Sequence, residues 1–295
     1  MDCVFGDEEM KWMQMNKLPP LTISQRYPLP NRMSIETSSA CNRACRFCPQ
    51  SLPNVREHAN VLMNDGLFDK VVKQIPPTVK CIELFRLNEP LLDHNYLRRI
   101  EAIRAAHPKV TTYCATNGDM LYKSKDPITM MCELQRAGLN VISIDVYERS
   151  RYKFFKELRL KLIKYRMFEI TKNRYQAHSV SKLHIAIARI GEGLTSSWTN
   201  CDMKDIVAPQ RRCPRPMRHF VVLYNGLVPL CCVVNPEKES NPIMGNMNKE
   251  TLIDIWNNAK FWKYRLKLQD GDRTLPGCNN CNAKVAYSHA VRHVE

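Results

Sequence analysis

Cys41, Cys45 and Cys48 stand in a C-x3-C-x2-C pattern within the run CNRACRFC. Three thiolates so spaced can hold three irons of a [4Fe–4S] cube, whereas most iron–sulfur sites take four cysteines. The remaining iron is then open to a small molecule. Zinc at the same place needs a fourth protein ligand, and His58 is the one histidine nearby. A second set lies far downstream, formed by Cys213, Cys231 and the pair Cys278-x2-Cys281. Four cysteines in a two-plus-two arrangement suit either a fully ligated [4Fe–4S] cube or a structural zinc ion. The chain has 13 cysteines, and its first twenty residues show no basic segment followed by an apolar one. A cytoplasmic, reducing setting is therefore expected, in which ligation is a stronger reading than disulfide pairing. Cys81, Cys114 and Cys132 sit in apolar surroundings and read as core thiols. Cys232 adjoins a candidate ligand and could replace Cys231 after a one-residue slip.

These cysteines need elements to carry them. Residues 1–30 read as an extension ending in proline turns. From Arg32 the pattern alternates between strands and helices. RMSIET, KCIELF, VTTYCAT, LNVISID and LHIAIARI read as strands; helices are expected over Asp65–Gln74, Asn95–Ala106, from Pro127 to the stop at Gly138, and from Arg151 to Thr171. Five or six βα units predict a parallel sheet curled into a full or partial barrel, with ligands at the carboxyl ends of the strands. The first cysteine loop, Asn88-Glu89-Pro90, Thr116-Asn117-Gly118 and Asp145 all fall at or just past such ends. They are expected to share one mouth. Residues 192–212 read as a linker to a small α+β module, with a hairpin in FVVLYNGLVPLCCVV turning at Asn225-Gly226 and a helix over ETLIDIWNNAKFWKYRLKL.

CNRACRFC resembles the signature of the radical S-adenosylmethionine (radical SAM) enzymes. The resemblance implies that Cys41, Cys45 and Cys48 ligate the cluster whose open iron binds S-adenosylmethionine, and that Phe47 lies near the adenine. LNEPLLD resembles that family's glycine-glycine-glutamate-proline segment, with Leu87-Asn88 where two glycines are usual. Glu89 would then accept hydrogen bonds from the methionyl ammonium. Thr116 and Asn117 fall where the family contacts ribose or carboxylate. Ser143, Asp145 and Arg189, on later strands, are further candidates for cofactor contact. Cys213, Gly226, Cys231, Cys278 and Cys281, with no cysteine after Cys281, resemble the SPASM domain in its shortened twitch form, as in inosamine dehydrogenases of the butirosin-pathway type. That implies a second, auxiliary [4Fe–4S] cluster held by Cys213, Cys231, Cys278 and Cys281. The architecture the resemblance implies is a radical SAM core over 31–191, an α/β fold forming a partial (β/α)6 barrel, and a small α+β auxiliary-cluster module over 213–295.

Charge bears on the substrate. The sequence has 44 Lys+Arg against 29 Asp+Glu, a net charge of +15. Between Arg149 and His184 eleven basic residues face only Glu157 and Glu169. Such a segment suits a solvated helix face or an anionic partner: a nucleotide, nucleic acid, sugar or peptide substrate. A reducing partner such as flavodoxin or ferredoxin is also implied. No apolar run approaches the roughly 18–20 residues of a membrane span. The rival readings are a cysteine-rich zinc protein that binds nucleic acid and a non-catalytic electron carrier.

Overall fold

The computed structural model describes residues 27–45, 48–51, 60–170, 181–190, 210–234, 241–279, 281 and 291–292. Its backbone is a run of strand–helix units: β1 (Arg32–Ile35), α1 (Asp65–Lys73), β2 (Cys81–Glu83), α2 (Tyr96–Ala106), β3 (Thr111–Thr116), α3 (Asp119–Lys123), α4 (Pro127–Ala137), β4 (Val141–Val146) and α5 (Arg149–Leu162). There follow β5 (Phe168–Ile170), β6 (Leu183–Ile190), α6 (Arg215–Arg218), β7 (His219–Val222), β8 (Leu227–Pro229), β9 (Ile243–Asn246), α7 (Leu252–Trp256), α8 (Ala259–Gln269) and β10 (Val291–Arg292). The main sheet runs β10-β6-β4-β3-β2-β1-β7, with β5 also on β6. All its pairings are parallel except that of β10. The expected partial α/β barrel is therefore what forms.

The local reasons are visible in the chain. Helix α4 opens with Asp126 accepting from the Thr129 amide and Pro127 in the first turn, and it closes on Gly138 at φ 102°. Strand β4 (VISIDV) is buried along its whole length, as a central parallel strand covered on both faces must be. Met33 and Ile35 of β1 join the apolar core, while Arg32 and Ser34 alternate to the other face. There Ser34 Oγ donates to Glu83 at 2.6 Å and lies 2.7 Å from His219 Nε2. This buried polar contact joins β7 to β1 and β2.

Three expectations need correction. The basic helix ends at Leu162, not Thr171: its buried stripe of Phe155, Leu158 and Leu162 stops there. Ile163 and Tyr165 are exposed, and Phe168–Ile170 becomes a short strand paired to β6. The segment around Asn225-Gly226 does turn, with Gly226 at φ 86°, but its two arms separate. β7 pairs with β1 and β8 with β9. The C-terminal module thus contributes a strand to the main sheet. The last helix is two, since the Asn258 side chain accepts from the Phe261 amide and starts α8 afresh.

Residues 27–30 pack against this C-terminal part. The Trp256 indole donates to Pro28 O at 3.0 Å, and the Arg265 guanidinium stacks between Tyr27 and Trp256. Trp256 and Trp262 are packing residues.

Gly118 joins β3 to α3 in the left-handed region, at φ 76°. A β-carbon there would lie 2.7 Å from Phe155 Cζ and 2.9 Å from Ile144 Cγ2. Gly118→Ala is therefore expected to cost roughly 1–3 kcal/mol from strain and overpacking together, seen as a lowered melting temperature. An unchanged melt would contradict this packing.

Candidate active site

At the carboxyl ends of β1 to β4 the connecting segments meet around one open cleft. Cys41, Cys45 and Cys48 line it, together with Glu89, Asn117 and Tyr147. The cysteine loop is tightened by the Cys48 amide donating to Cys45 O at 2.8 Å. It is tied to β2 by the Glu89 amide donating to Ala40 O at 2.7 Å.

Glu89 is 2% exposed and occupies the meeting point of three segments. Its carboxylate accepts from Thr116 Oγ1 (2.6 Å), the Asn117 amide (2.7 Å) and the Leu91 amide (3.2 Å). Burial nevertheless pushes its carboxyl up to about 7. An ammonium placed against it would restore the charged form. The Asn117 side chain reaches across to Asn42 at 2.8 Å, so the β3 end is bound to the cysteine loop.

The loop is held from its other side by charge. Arg43 donates to Asp119 through Nε and Nη2 at 3.0 and 2.5 Å, and to Glu148 through Nη1 and Nη2 at 2.8 and 3.0 Å. Arg151 pairs with the same two carboxylates. A fork-to-fork network of this kind fixes both position and angle. Asp119 and Glu148 follow β3 and β4, so the sheet itself sets where the thiols stand. The guanidinium of Arg43 also lies over the Tyr147 ring, 4.9 Å from its centroid.

Burial pushes the Cys41 thiol up to about 11 and the Cys48 thiol up to about 12, and raises Cys45 as well. Thiols kept protonated by their surroundings give up the proton to a metal cation far more readily than to water. Three such thiols on one cleft are a donor set that fits a metal cluster.

The second set is deeper. Cys213, Cys231, Cys278 and Cys281 are all buried, and no disulfide joins the described cysteines. The charged and titratable groups near Cys231 include Cys213, Cys278 and Cys281, so the four thiols belong to one neighbourhood. Burial is again the main cause that raises Cys231 and Cys278. Among the described residues, no three His, Cys, Asp or Glu side chains are gathered closely enough to hold a single metal ion. Arg86 spans the two regions: it faces Glu36 at 3.6 Å in the cleft, and its Nη2 donates to Val234 O just beyond Cys231.

The other expected residues are placed as follows. Ser143 and Asp145 lie on β4, with Ser143 Oγ donating to Asp145 at 3.3 Å, and neither is among the residues lining the cleft. Arg189 is on β6, in register with Val146. Phe47 lies outside the described residues. Sequence reasoning missed Asn42, Arg43, Asp119, Tyr147, Glu148, Arg151 and Arg86. Arg43 had a usable signal, since it sits inside the first cysteine spacing; the acids that meet it are 76 and 105 residues away.

Comparison with known proteins agrees with this geometry. Residues 213–282 match the family model for SPASM, an iron–sulfur cluster-binding domain. The chain is similar to the S-adenosyl-L-methionine-dependent 2-deoxy-scyllo-inosamine dehydrogenase of Niallia circulans. The two are 24% identical over 255 residues, which are 85% of this chain and 92% of that protein. Its fold is similar to that of BtrN in complex with AdoMet and 2-DOIA, with a TM-score of 0.66 and 21% identity over 90% of this chain and all of that one. It is also similar to selenomethionine BtrN in an open conformation, with a TM-score of 0.57 and 20% identity over 86% and 93% of the two chains. The resemblance drawn from the cysteine spacings is borne out.

Proposed function

We propose that this chain, a radical SAM protein with a SPASM-type C-terminal domain, is an oxidoreductase that removes a hydrogen atom from an anionic substrate. The observation that carries this reading is the convergence of three half-buried thiols, those of Cys41, Cys45 and Cys48, with Glu89 and Asn117 on one cleft, in a chain that also buries four cysteines in its C-terminal part. When bound, the first cluster and S-adenosylmethionine supply a 5′-deoxyadenosyl radical, and the second cluster supplies a one-electron acceptor.

The chain's own residues do the rest. Cys41, Cys45 and Cys48 would hold the first cluster and leave one iron without a protein ligand. Glu89 receives the methionyl ammonium, and its burial keeps water from competing for that contact. The network of Arg43, Asp119, Glu148 and Arg151 holds the thiols and the cleft wall in fixed relation. Cys213, Cys231, Cys278 and Cys281 would ligate the second cluster completely, leaving no open iron there. Arg86 links the two regions through buried contacts.

An anionic substrate is favoured by the exposed basic residues of α5 and the turn after it. Lys153, Lys156, Arg159, Lys161, Lys164 and Arg166 are opposed there by Glu157. Electrons would enter from a small donor such as flavodoxin or ferredoxin, in the cytoplasm. No helix among the described residues is long and apolar enough to cross a membrane.

The test is anaerobic incubation with S-adenosylmethionine and a strong reductant. Release of 5′-deoxyadenosine, with hydrogen from the substrate incorporated into it, supports the proposal. Stoichiometric zinc without sulfide, or clusters that never cleave S-adenosylmethionine, would reject it in favour of a zinc protein or a carrier. With candidate anionic substrates, binding should weaken steeply as salt is raised.

A further inference from the structure

Glu89 does not hold its place alone. It opens a short helical turn over Pro90–Leu92, and Asp93 closes that turn. The Asp93 amide donates to Pro90 O at 3.0 Å, and its Oδ1 accepts from the Asn95 amide at 2.9 Å. Its Oδ2 lies 2.9 Å from Arg99 Nε on α2, and both side chains are fully buried. Arg99 then reaches a different segment. Its Nη2 donates to Met63 O at 2.6 Å and stands 3.3 Å from Asp65, while the guanidinium covers the Phe68 ring.

Met63 lies at the neck of the cysteine loop. Its amide donates to Thr37 O at 2.8 Å, Ser38 forms a bridge with Leu62, and the Ser39 amide donates to Val61 O at 2.9 Å. The strand end that enters the loop is thus zipped to the segment that leaves it. One guanidinium therefore joins the end of the Glu89 turn to the base of the loop that carries Cys41, Cys45 and Cys48. None of Asp93, Arg99 and Met63 lines the cleft. A buried ion pair adds little stability over apolar residues of the same volume. What charge-assisted bonds at fixed angles do add is direction.

We propose that Asp93 and Arg99 are positioning residues for cofactor binding: their buried pair fixes the Glu89 carboxylate relative to the three thiols, and so sets the span that S-adenosylmethionine must bridge. This rests on the reading that Glu89 receives the methionyl ammonium. It adds that two residues outside the cleft, touching neither cofactor nor thiols, govern that contact.

The experiment is equilibrium dialysis of S-adenosylmethionine against the full-length, cluster-loaded protein, arranged as a cycle of Asp93→Asn, Glu89→Gln and the two together. Asp93→Asn keeps the acceptor for the Asn95 amide and removes the charge facing Arg99, which retains Asp65 beside it. It should weaken binding about tenfold, a little less than the loss of one whole charge-assisted hydrogen bond. Iron and sulfide per chain should match the parent. In the Glu89→Gln background the same change should cost nothing further, because the contact it positions is already gone. The double replacement Asp93→Asn with Arg99→Met leaves no buried charge unpaired and repeats the test if the single variant folds poorly. A structural role alone predicts a lowered melting temperature with parent affinity, or a loss that multiplies with that of Glu89→Gln. Either result would overturn the inference and leave the reading of Glu89 standing. Parent affinity in Glu89→Gln would overturn that reading, and this inference with it.

Discussion

Replacing Cys41 by Ala is expected to abolish 5′-deoxyadenosine formation completely and to lower bound iron from about eight to about four per chain. The thiol lies on the cleft beside Cys45 and Cys48, and two remaining thiolates leave a cube without enough protein ligands. The fold should survive. The loop is held by Arg43 against Asp119 and Glu148, and by the Glu89 amide on Ala40, none of which involves the Cys41 sulfur. Cys45→Ala and Cys48→Ala should behave alike. Cys132→Ala is the control: this thiol is buried in the core on α4, so the substitution should lower stability modestly and leave cleavage intact. Iron and sulfide analysis with chromatography of the nucleoside product decides the matter. Undiminished cleavage in Cys41→Ala would remove the first pocket from the chemistry.

Much of this site was legible in the sequence because its parts are local. The cysteine spacing, the proline and glycine that bracket α4, and the placement of Glu89 and Thr116-Asn117 at strand ends are all written within a few neighbouring residues. What was not legible depends on sheet order. Nothing near Arg43 announces that Asp119 and Glu148 will flank it, since that follows from β3 and β4 lying on the same side of β1. The docking of β7 on β1 has the same origin: its register sets His219 opposite Arg32 and close to Ser34. β5 was missed for another reason. Three residues are too few to show an alternating pattern, and they follow a helix whose basic character runs on past its last buried residue.

Cys278→Ala should separate two events that Cys41→Ala removes together. The first pocket and the cleft are intact in this variant, so 5′-deoxyadenosine should still be released at close to the parent rate. Product, however, should be lost. Hydrogen-atom removal leaves an unpaired electron on the substrate, and net oxidation needs a second site to accept it. Cys278 belongs to the pocket that would do so, together with Cys213, Cys231 and Cys281. Arg86 lines the cleft and its guanidinium donates to Val234 O, three residues past Cys231, which ties the C-terminal part to the cleft wall. The measurement is the ratio of product to 5′-deoxyadenosine, taken alongside a melting curve. The Cys278 amide is bonded to Leu275 O independently of the thiol, and Cys278→Ser offers a second variant of similar size. A ratio that falls while the melt holds means the second pocket serves oxidation. Equal loss of nucleoside and product in well-folded Cys278→Ser would mean that both pockets serve the first step, and the division between them proposed above would be wrong.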